Sequence, residues 1–581
     1  MDLLIKWLTM NSDQLKREDE KVVICHGDFK MDNVIFDPNS LKILAVLDWE
    51  LSSIGRPMSD LAYSLIFYNF SSENNLFGSP QKAIGLPSKD ECLGFYFEGE
   101  MGKKPGNFYA FEAFSIFRIA SILQGVYKRH LQGNASSEQA KEKGLLAREF
   151  AKTAWEIICS NDSSQNSSLN LSGNFSLTNM FPVSEEAKCV LKDLELFLRL
   201  EVFPLEKTIN DFYSEISNSY KAHPCIEPLK AKAKEKGLWN LFLTKNHGGR
   251  FTNLEYSFMA EKMGAFPFAS YFFNCSAPDT GNMELLTMFA TKEQKENYLN
   301  PLLEGQIRSC FAMTEPAVAS SDPTNLQTTI TKMENGNFRV NGRKWWISGA
   351  GDPLCKFAIV MGKIGGTTDS NSLPLHSSHS MIIVPFSSPG VKIIRPMTVF
   401  GYADGPSCHC EIEFNEVEVP AANLLGKEGQ AFALAQARLG PGRLHHCMRL
   451  IGMAEKAIEI TKSRMKTRKA FGRLLSQNQV VQAKLAECRL KVDQARLFVL
   501  FTAEKIDKVG VKESRKEISG IKIVIPRMAC EVIDEAIQIH GAAGLSQDST
   551  LPGLYAAART LRIADGPDDV HIRTLGRLEM K

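Results

Sequence analysis

Apolar residues recur three and four apart through VLKDLELFLRLEVFPLEK, and this period runs with interruptions from Ser184 to Leu303, which predicts a helical domain. From Cys310 to Leu425 the pattern changes. FRVNGRKWWISGA, KFAIVMGKI, SMIIVPF, VKIIRPM and CEIEFNEVEVP are β-rich runs punctuated by Gly, Pro and Asn, and they predict a small antiparallel domain. Helical spacing returns from Gln430 to Gln538, where AEKAIEITKSRMKTRKAF and QAKLAECRLKVDQARLFVLFTAEKI are long enough for a bundle of packed helices. The start of the chain has another texture: short β-like runs at Val22 to Ile24, Val34 to Phe36 and Ile43 to Leu47, then a long helical stretch from Phe108 to Cys159.

Between these blocks, Ser160 to Ser176 reads SNDSSQNSSLNLSGNFS; 11 of its 17 residues are Ser or Asn without hydrophobic period, which predicts a flexible linker. The expected fold class is therefore multidomain α+β: a first block at 1–159, a linker at 160–183, a helical domain at 184–305, a β domain at 306–425 and a helical bundle at 426–581. At 581 residues the chain is too long for one core, and its 44% hydrophobic and 23% charged content is that of ordinary globular domains, which excludes a fibre. The 68 basic residues nearly cancel the 66 acidic ones, so no global electrostatic footprint for nucleic acid exists. Thirteen cysteines without a CxxC pair read as reduced thiols of an intracellular protein. Cys408, His409 and Cys410 cluster, but strand alternation turns His409 away from both thiols and predicts packing rather than metal binding. No run of 18 apolar residues predicts a membrane span, and Met1 to Met10 lacks the flanks of a signal peptide. Neither GxGxxG nor GxxxxGK[ST] occurs, so any nucleotide is held without those loops.

In the first block HGDFKMDNVIFD sets His26, Asp28 and Asn33 in an H-x-D-x-x-x-x-N arrangement, with Asp48 following in AVLDWE. In phosphoryl transfer such a set divides its labour: Asp28 positions the hydroxyl nucleophile, while Asn33 and Asp48 ligate magnesium. The bland alternative is a polar turn with a helix cap. These segments resemble the aminoglycoside phosphotransferase and choline kinase-like family, and Asp60 in SDLA fits the family segment that braces the catalytic loop. That resemblance implies Mg-ATP and an N-terminal lobe whose lysine clamps the phosphates, yet only 25 residues precede His26. Without the clamp, little or no kinase activity is expected.

In the second block FAMTEPAVASSD offers backbone N–H groups and the hydroxyls of Thr314, Ser320 and Ser321 to an electron-rich ring edge and a pyrophosphate. KWWISGAG adds Trp346, able to cover a ring system, and Ser348, able to donate beside it, although a Trp pair is more often packing. TRKAFGRLLSQNQ gathers Arg468, Phe471 and Gln479, and QIHGAAGL supplies Gln538 and Gly541 where backbone can approach a ligand. In this order and spacing the segments resemble the acyl-CoA dehydrogenase family over about Ser184 to Lys581.

The resemblance implies a helical domain, a β-barrel-like domain and a four-helix bundle, with FAD between the last two. It implies that Phe311, Ala312, Met313, Thr314, Ser320, Ser321, Trp346, Ile347 and Ser348 line the flavin, with Ser320 and Ser321 also near the CoA chain. Arg468, Phe471, Gln479, Gln538 and Gly541 would reach FAD of a neighbouring subunit, so a homodimer or homotetramer is expected. Arg443 would contact substrate or brace the loop holding the base; a surface salt bridge is its bland alternative.

Dehydrogenation of an acyl thioester needs a carboxylate for the α-proton while the β-hydrogen leaves as hydride. Where the family commonly has Glu, IADGPDDVH places Asp565, with Pro567 in the position of the family's Thr, where the resemblance implies a cofactor contact; the bland reading of DGPDD is a capping turn. The expected activity is fatty-acid β-oxidation on an acyl-CoA, with long chains favoured, and with electron-transferring flavoprotein as acceptor. A branch with a phosphotransferase-like domain ahead of the dehydrogenase carries the same Asp and fusion, which implies a peroxisomal or mitochondrial address. Alternatives are 4-hydroxyacyl-CoA processing by phosphorylation and phosphate elimination, an oxidase-type relative, a small-molecule kinase, and an inactive scaffold. The chain reads as short at both ends, with 16 residues after Asp565.

Overall fold

The computed structural model describes residues 2–10, 22–70, 86–97, 107–131, 140–161, 177–365, 377–403, 405 and 408–581. The chain divides into two compact units, Met1–Gly173 and Asn174–Lys581. Most of the Ser/Asn-rich run, 162–176, lies outside the described residues.

The first unit contains α1 (Asp2–Met10), the strands β1 (Val23–Cys25), β2 (Val34–Phe36), β3 (Ile43–Val46) and β4 (Ser53–Gly55), and the helices α2 (Pro57–Ser64), α3 (Lys89–Phe97), α4 (Phe108–Leu131) and α5 (Ala140–Asn161). β1 pairs antiparallel with β4, and β2 with β3. The stretch from Phe108 to Cys159 holds two helices, with residues 132–139 between them outside the described set. Met58, Ala62, Leu65, Leu93, Phe108 and Phe111 form a small core beneath α2 and α4.

The second unit begins with α6 (Glu185–Phe197), α7 (Glu206–Ser214), α8 (Ile226–Glu235), α9 (Asn253–Gly264) and α10 (Asp279–Phe289). α9 is buried on every side and starts at a capping box, in which Thr252 and Glu255 each accept a backbone N–H of the other. The sheet follows as β5 (Arg308–Ala312), β6 (Thr329–Lys332), β7 (Phe338–Ser348), β8 (Cys355–Gly365), β9 (His379–Pro385), β10 (Val391–Met397), β11 (His409–Val419) and β12 (Leu424–Leu425). Its order is β10-β11-β7-β6-β8-β9-β12, with β5 also on β8.

The expectation of an antiparallel domain is corrected by two pairs, β5 with β8 and β6 with β8, which run parallel. Period and turn residues locate strands but not the direction of their partners. β8, buried almost throughout, reads as a continuous apolar run, as strands with parallel neighbours often do.

The bundle comprises α11 (Ala431–Thr467), a hairpin of β13 (Lys469–Ala470) and β14 (Arg473–Leu474), then α12 (Gln479–Glu513), α13 (Arg515–His540), α14 (Leu551–Thr560) and α15 (Asp568–Glu579). α11 crosses α9 at backbone contact distance. A Cβ added to Gly452 would lie 1.9 Å from the Glu261 carbonyl oxygen, and one added to Gly264 2.1 Å from that of Arg449, so only glycine fits this crossing. The close approach carries the middle of α11 into the interior, where it meets the turn before α15.

Candidate active site

The turn between α14 and α15 presents Asp565. Asp565 has φ 57° and Gly566 φ 104°, a left-handed pair that aspartate and glycine tolerate. Pro567 then stands at the N-cap position of α15, and Asp568 takes hydrogen bonds from Arg527 Nε at 2.9 Å and Arg562 Nη2 at 2.7 Å. The segment is thus a helix-starting turn that also delivers a carboxylate inward.

Three groups hold it. Arg443 Nε on α11 donates to the Asp565 carbonyl at 3.0 Å, and His571 Nε2 on α15 lies 3.3 Å from the same oxygen. His446 Nε2 on α11 lies 3.2 Å from Asp565 Oδ2. Burial alone would raise the carboxyl pKa, but His446, Arg438 and Lys522 outweigh it and hold Asp565 well below the usual carboxylate range. It is ionised at neutral pH.

Arg438 links this turn to the sheet. Its guanidinium lies 4.1 Å from the centroid of the Phe311 ring, and its Nε donates to Asn282 Oδ1 at 2.9 Å. Glu284 on α10 is buried beside it, and burial pushes its carboxyl up to about 8, against the pull of Arg438, so it is neutral at pH 7.

The segment after β5 is bound to β7. Lys344, fully buried, donates through Nζ to Met313 O at 2.9 Å, Glu315 Oε1 at 2.8 Å and Met361 O at 2.7 Å, and Trp345 N donates to Thr314 O at 3.0 Å. Glu315 N in turn donates to Ser320 Oγ at 2.9 Å, which folds 315–320 back on itself. Phe311, Ala312, Met313 and Thr314 are thereby drawn against Trp346, Ile347 and Ser348. Ile347 turns into the sheet core, whereas Trp346 has φ 54° and stays 38% exposed. Ser348 Oγ lies 2.8 Å from His409 Nδ1, while the Cys408 and Cys410 thiols sit 3.7 Å apart in the core. Ser321 is exposed.

Arg468, Phe471, Gln479, Gln538 and Gly541 are all exposed, and none of them is among the groups that hold Asp565. Phe471 is the clearest, fully exposed at the tip of the β13–β14 hairpin.

In the first unit the Asp60 carboxylate accepts from His26 N at 2.5 Å and Gly27 N at 2.8 Å, bracing the loop that carries Asp28. Asp28 accepts from Tyr63 Oη at 2.7 Å and Lys30 Nζ at 2.8 Å, and Asn33 Nδ2 donates to Asp28 O at 2.9 Å. Leu47 N donates to Asn33 O at 2.8 Å, which sets Asp48 next to that loop.

Sequence reasoning missed His446, Arg438, Lys344 and Glu315. Only Lys344 left a signal: it alternates with Phe338 and Val340 along β7, on the strand face that enters the core.

A helical domain, a β domain and a helical bundle, with an ionised carboxylate where bundle meets sheet, define an enzyme of the acyl-CoA dehydrogenase class. Family models agree: the acyl-CoA dehydrogenase N-terminal, middle and C-terminal domains match residues 202–306, 310–417 and 429–579, and the phosphotransferase enzyme family matches 3–81. Acyl-CoA dehydrogenase family member 11 of Gallus gallus is 45% identical over 592 residues, covering all of this chain and 74% of that relative. Family member 10 of Mus musculus is 43% identical over 630 residues, covering all of this chain and 58% of that relative. A solved Mycobacterium abscessus structure described as an acyl-CoA dehydrogenase is 42% identical, with TM-score 0.65, over 69% of this chain and 99% of its own. The chain belongs to the acyl-CoA dehydrogenase family, in the form that carries a phosphotransferase-type domain ahead of the dehydrogenase.

Among the described residues no helix is long and apolar enough to cross a membrane.

Proposed function

We propose that the chain is an FAD-dependent acyl-CoA dehydrogenase of fatty-acid β-oxidation, acting on long-chain acyl-CoA, with Asp565 as the base. The observation that carries this reading is the ionised Asp565 carboxylate, whose charge faces Arg438, the same guanidinium that lies over the Phe311 ring at the edge of the β domain. The donor set suits a flavin: an exposed indole at Trp346, the hydroxyls of Thr314 and Ser348, and backbone fixed by Lys344. FAD, when bound, supplies the acceptor for the β-hydride. Asp565 takes the α-proton, Arg443 and His571 hold its backbone, and the buried cations keep it deprotonated while it waits. Aspartate is one methylene shorter than glutamate, so the acyl chain must lie about a bond length nearer, in a geometry sensitive at about 1 Å. Electrons then pass to electron-transferring flavoprotein. The exposed Arg468, Phe471, Gln479, Gln538 and Gly541 fit a homodimer or homotetramer in which one subunit completes the cofactor site of the next, in a peroxisome or mitochondrion.

Anaerobic addition of acyl-CoA thioesters of graded length to the yellow protein tests this: bleaching should be deepest with long chains. A colourless protein indifferent to acyl-CoA would refute it and favour a scaffold.

A second reading has one observation in its favour. Arg438, Arg443 and Lys522 face the carboxylate of Asp565, neutral Glu284 does not offset them, and the two further carboxylates near them, Asp279 and Asp568, are paired to other arginines, Asp279 to Arg308 and Asp568 to Arg527 and Arg562. The surplus positive charge suits an anionic substituent on the acyl chain. In this reading the first unit transfers phosphate from Mg-ATP to the hydroxyl of a 4-hydroxyacyl-CoA, with Asp28 positioning the hydroxyl and Asn33 and Asp48 holding magnesium. In the second unit Asp565 would take the Cα proton and phosphate would leave C4, while a hydride passes from C3 to C4, with FAD, when bound, supplying the temporary hydride acceptor; the product is a 2-enoyl thioester without net oxidation. Phosphate release from a synthetic 4-phosphooxyacyl-CoA without ATP tests that half; no release, or release unaffected by Asp565→Asn, rules it out.

A further inference from the structure

His445 and His446 are neighbours on α11, yet a helix turns about 100° between them, and they meet different partners. His445 is buried against the Tyr256 ring, with centroids 5.0 Å apart. His446 instead bridges two side chains. Arg449 Nη2 lies 3.3 Å from His446 Nδ1, and His446 Nε2 lies 3.2 Å from Asp565 Oδ2. Arg449 is itself buried, and its Nη1 donates to Cys275 O at 3.2 Å, which fixes the guanidinium.

A guanidinium can only donate, so Nδ1 must be the acceptor and the ring proton sits on Nε2, directed at Asp565. Burial and the neighbouring Arg449 oppose a second proton on the ring, although Asp565 pulls the other way. The imidazole is therefore a neutral donor. It occupies Oδ2, and among the described residues no donor reaches Oδ1. A Cβ added to Gly442 would stand 3.4 Å from Oδ2, so the helix surface leaves the carboxylate just enough room on that side.

We propose that His446 is a positioning residue for Asp565: relaying the hydrogen bond of Arg449, it fixes the carboxylate rotamer so that Oδ1 alone faces the substrate α-proton. This rests on Asp565 being the base. A short carboxylate has little tolerance for rotation, and a fixed rotamer offsets the reach that aspartate lacks. The α-proton moves from Cα to Oδ1, and His446 keeps its own proton throughout.

The charged and titratable groups facing Asp565 are Arg438, Arg443, His446 and Cys447 from α11, Lys522 from α13 and His571 from α15. Loss of one hydrogen-bond donor from this set weakens the carboxylate form, so the acidic limb of kcat/KM must move to higher pH.

The test uses the full-length FAD-loaded protein with a straight-chain acyl-CoA, and measures kcat, KM, the pH profile, and α-hydrogen exchange into the acyl-CoA from deuterated water by mass spectrometry. His446→Leu should lower kcat and exchange by about 10- to 100-fold, leave KM within about 2-fold, and raise the acidic limb. His446→Gln, whose amide can reach the Nε2 position, should recover most of the rate, whereas His446→Asn, which is too short, should not. If the Leu variant fails to fold, the Gln and Asn pair decides. Equal rates and pH profiles for Gln and Asn, or a Leu variant with unchanged exchange, would overturn the proposal. Exchange that survives in Asp565→Asn would instead overturn the assignment of the base, a separable result.

Discussion

Lys344→Met tests how the sheet holds the proposed flavin segment. The wild-type ammonium is fully buried; burial pushes its pKa down to about 8 despite the opposing pull of Glu315, so it still carries its charge at neutral pH. Removing it takes a donor from Met313 O, Glu315 Oε1 and Met361 O at once. Glu315 is then left as a buried anion with only the backbone N–H groups of Gln327, at 2.7 Å, and Thr328, at 2.9 Å. Breaking one side of a buried pair costs about 3–5 kcal/mol, a large share of the roughly 5–15 kcal/mol that holds a domain together. Lys344→Met/Glu315→Gln removes both charges and should recover more than half of that loss, since Gln keeps an acceptor for one N–H. Urea unfolding followed by tryptophan emission, with FAD content measured on the same samples, reads both effects: the single variant should unfold earlier and lose flavin, and the double variant should lie between it and the parent. A single variant as stable and as yellow as the parent, or a double variant worse than the single, would show that the Lys344–Glu315 pair does not hold this segment.

Two further outcomes are expected. Burial beside Arg443 and Lys522 holds His571 down at about 4, below its ordinary 6.5, so the unfolded chain binds a proton in that interval that the folded chain does not. The His571 contribution is fully present above pH 6.5 and is lost as pH falls towards 4, by about 3 kcal/mol; His571→Asn should flatten that part of the stability curve in pH-dependent urea unfolding. Phe471→Ser removes an apolar side chain that touches nothing in its own chain, so thermal stability of the monomer should not fall, while FAD retention and the oligomer fraction by sedimentation should; unchanged values for both would remove Phe471 from the interface.

The helix, sheet, helix order of the second block was legible because helices and strands differ in hydrophobic period, and Val34–Phe36 in the first block was read at its actual bounds. The parallel pairs on β8 were not, because strand direction is set by partners far apart in the chain. Asp565 could be reached only through the family resemblance; DGPDD by itself is also a sound helix-starting turn. His446 carried no signal, since a second histidine in an amphipathic helix looks like any half-buried polar residue until the turn before α15 folds onto it. Arg438 is similar, for its contact with Phe311 joins residues more than a hundred positions apart. Lys344 was readable in principle from strand alternation, but a lysine is so seldom fully buried that the expectation of an exposed side chain prevails.

The most direct measurement is the anaerobic half-reaction of Asp565→Asn with a long-chain acyl-CoA, followed by the visible absorbance of the flavin. Asparagine keeps the size of the side chain and removes its basicity. Normal FAD content and retained acyl-CoA binding are expected, with bleaching slowed by about 10³-fold or more. Bleaching at the parent rate would contradict Asp565 as the base.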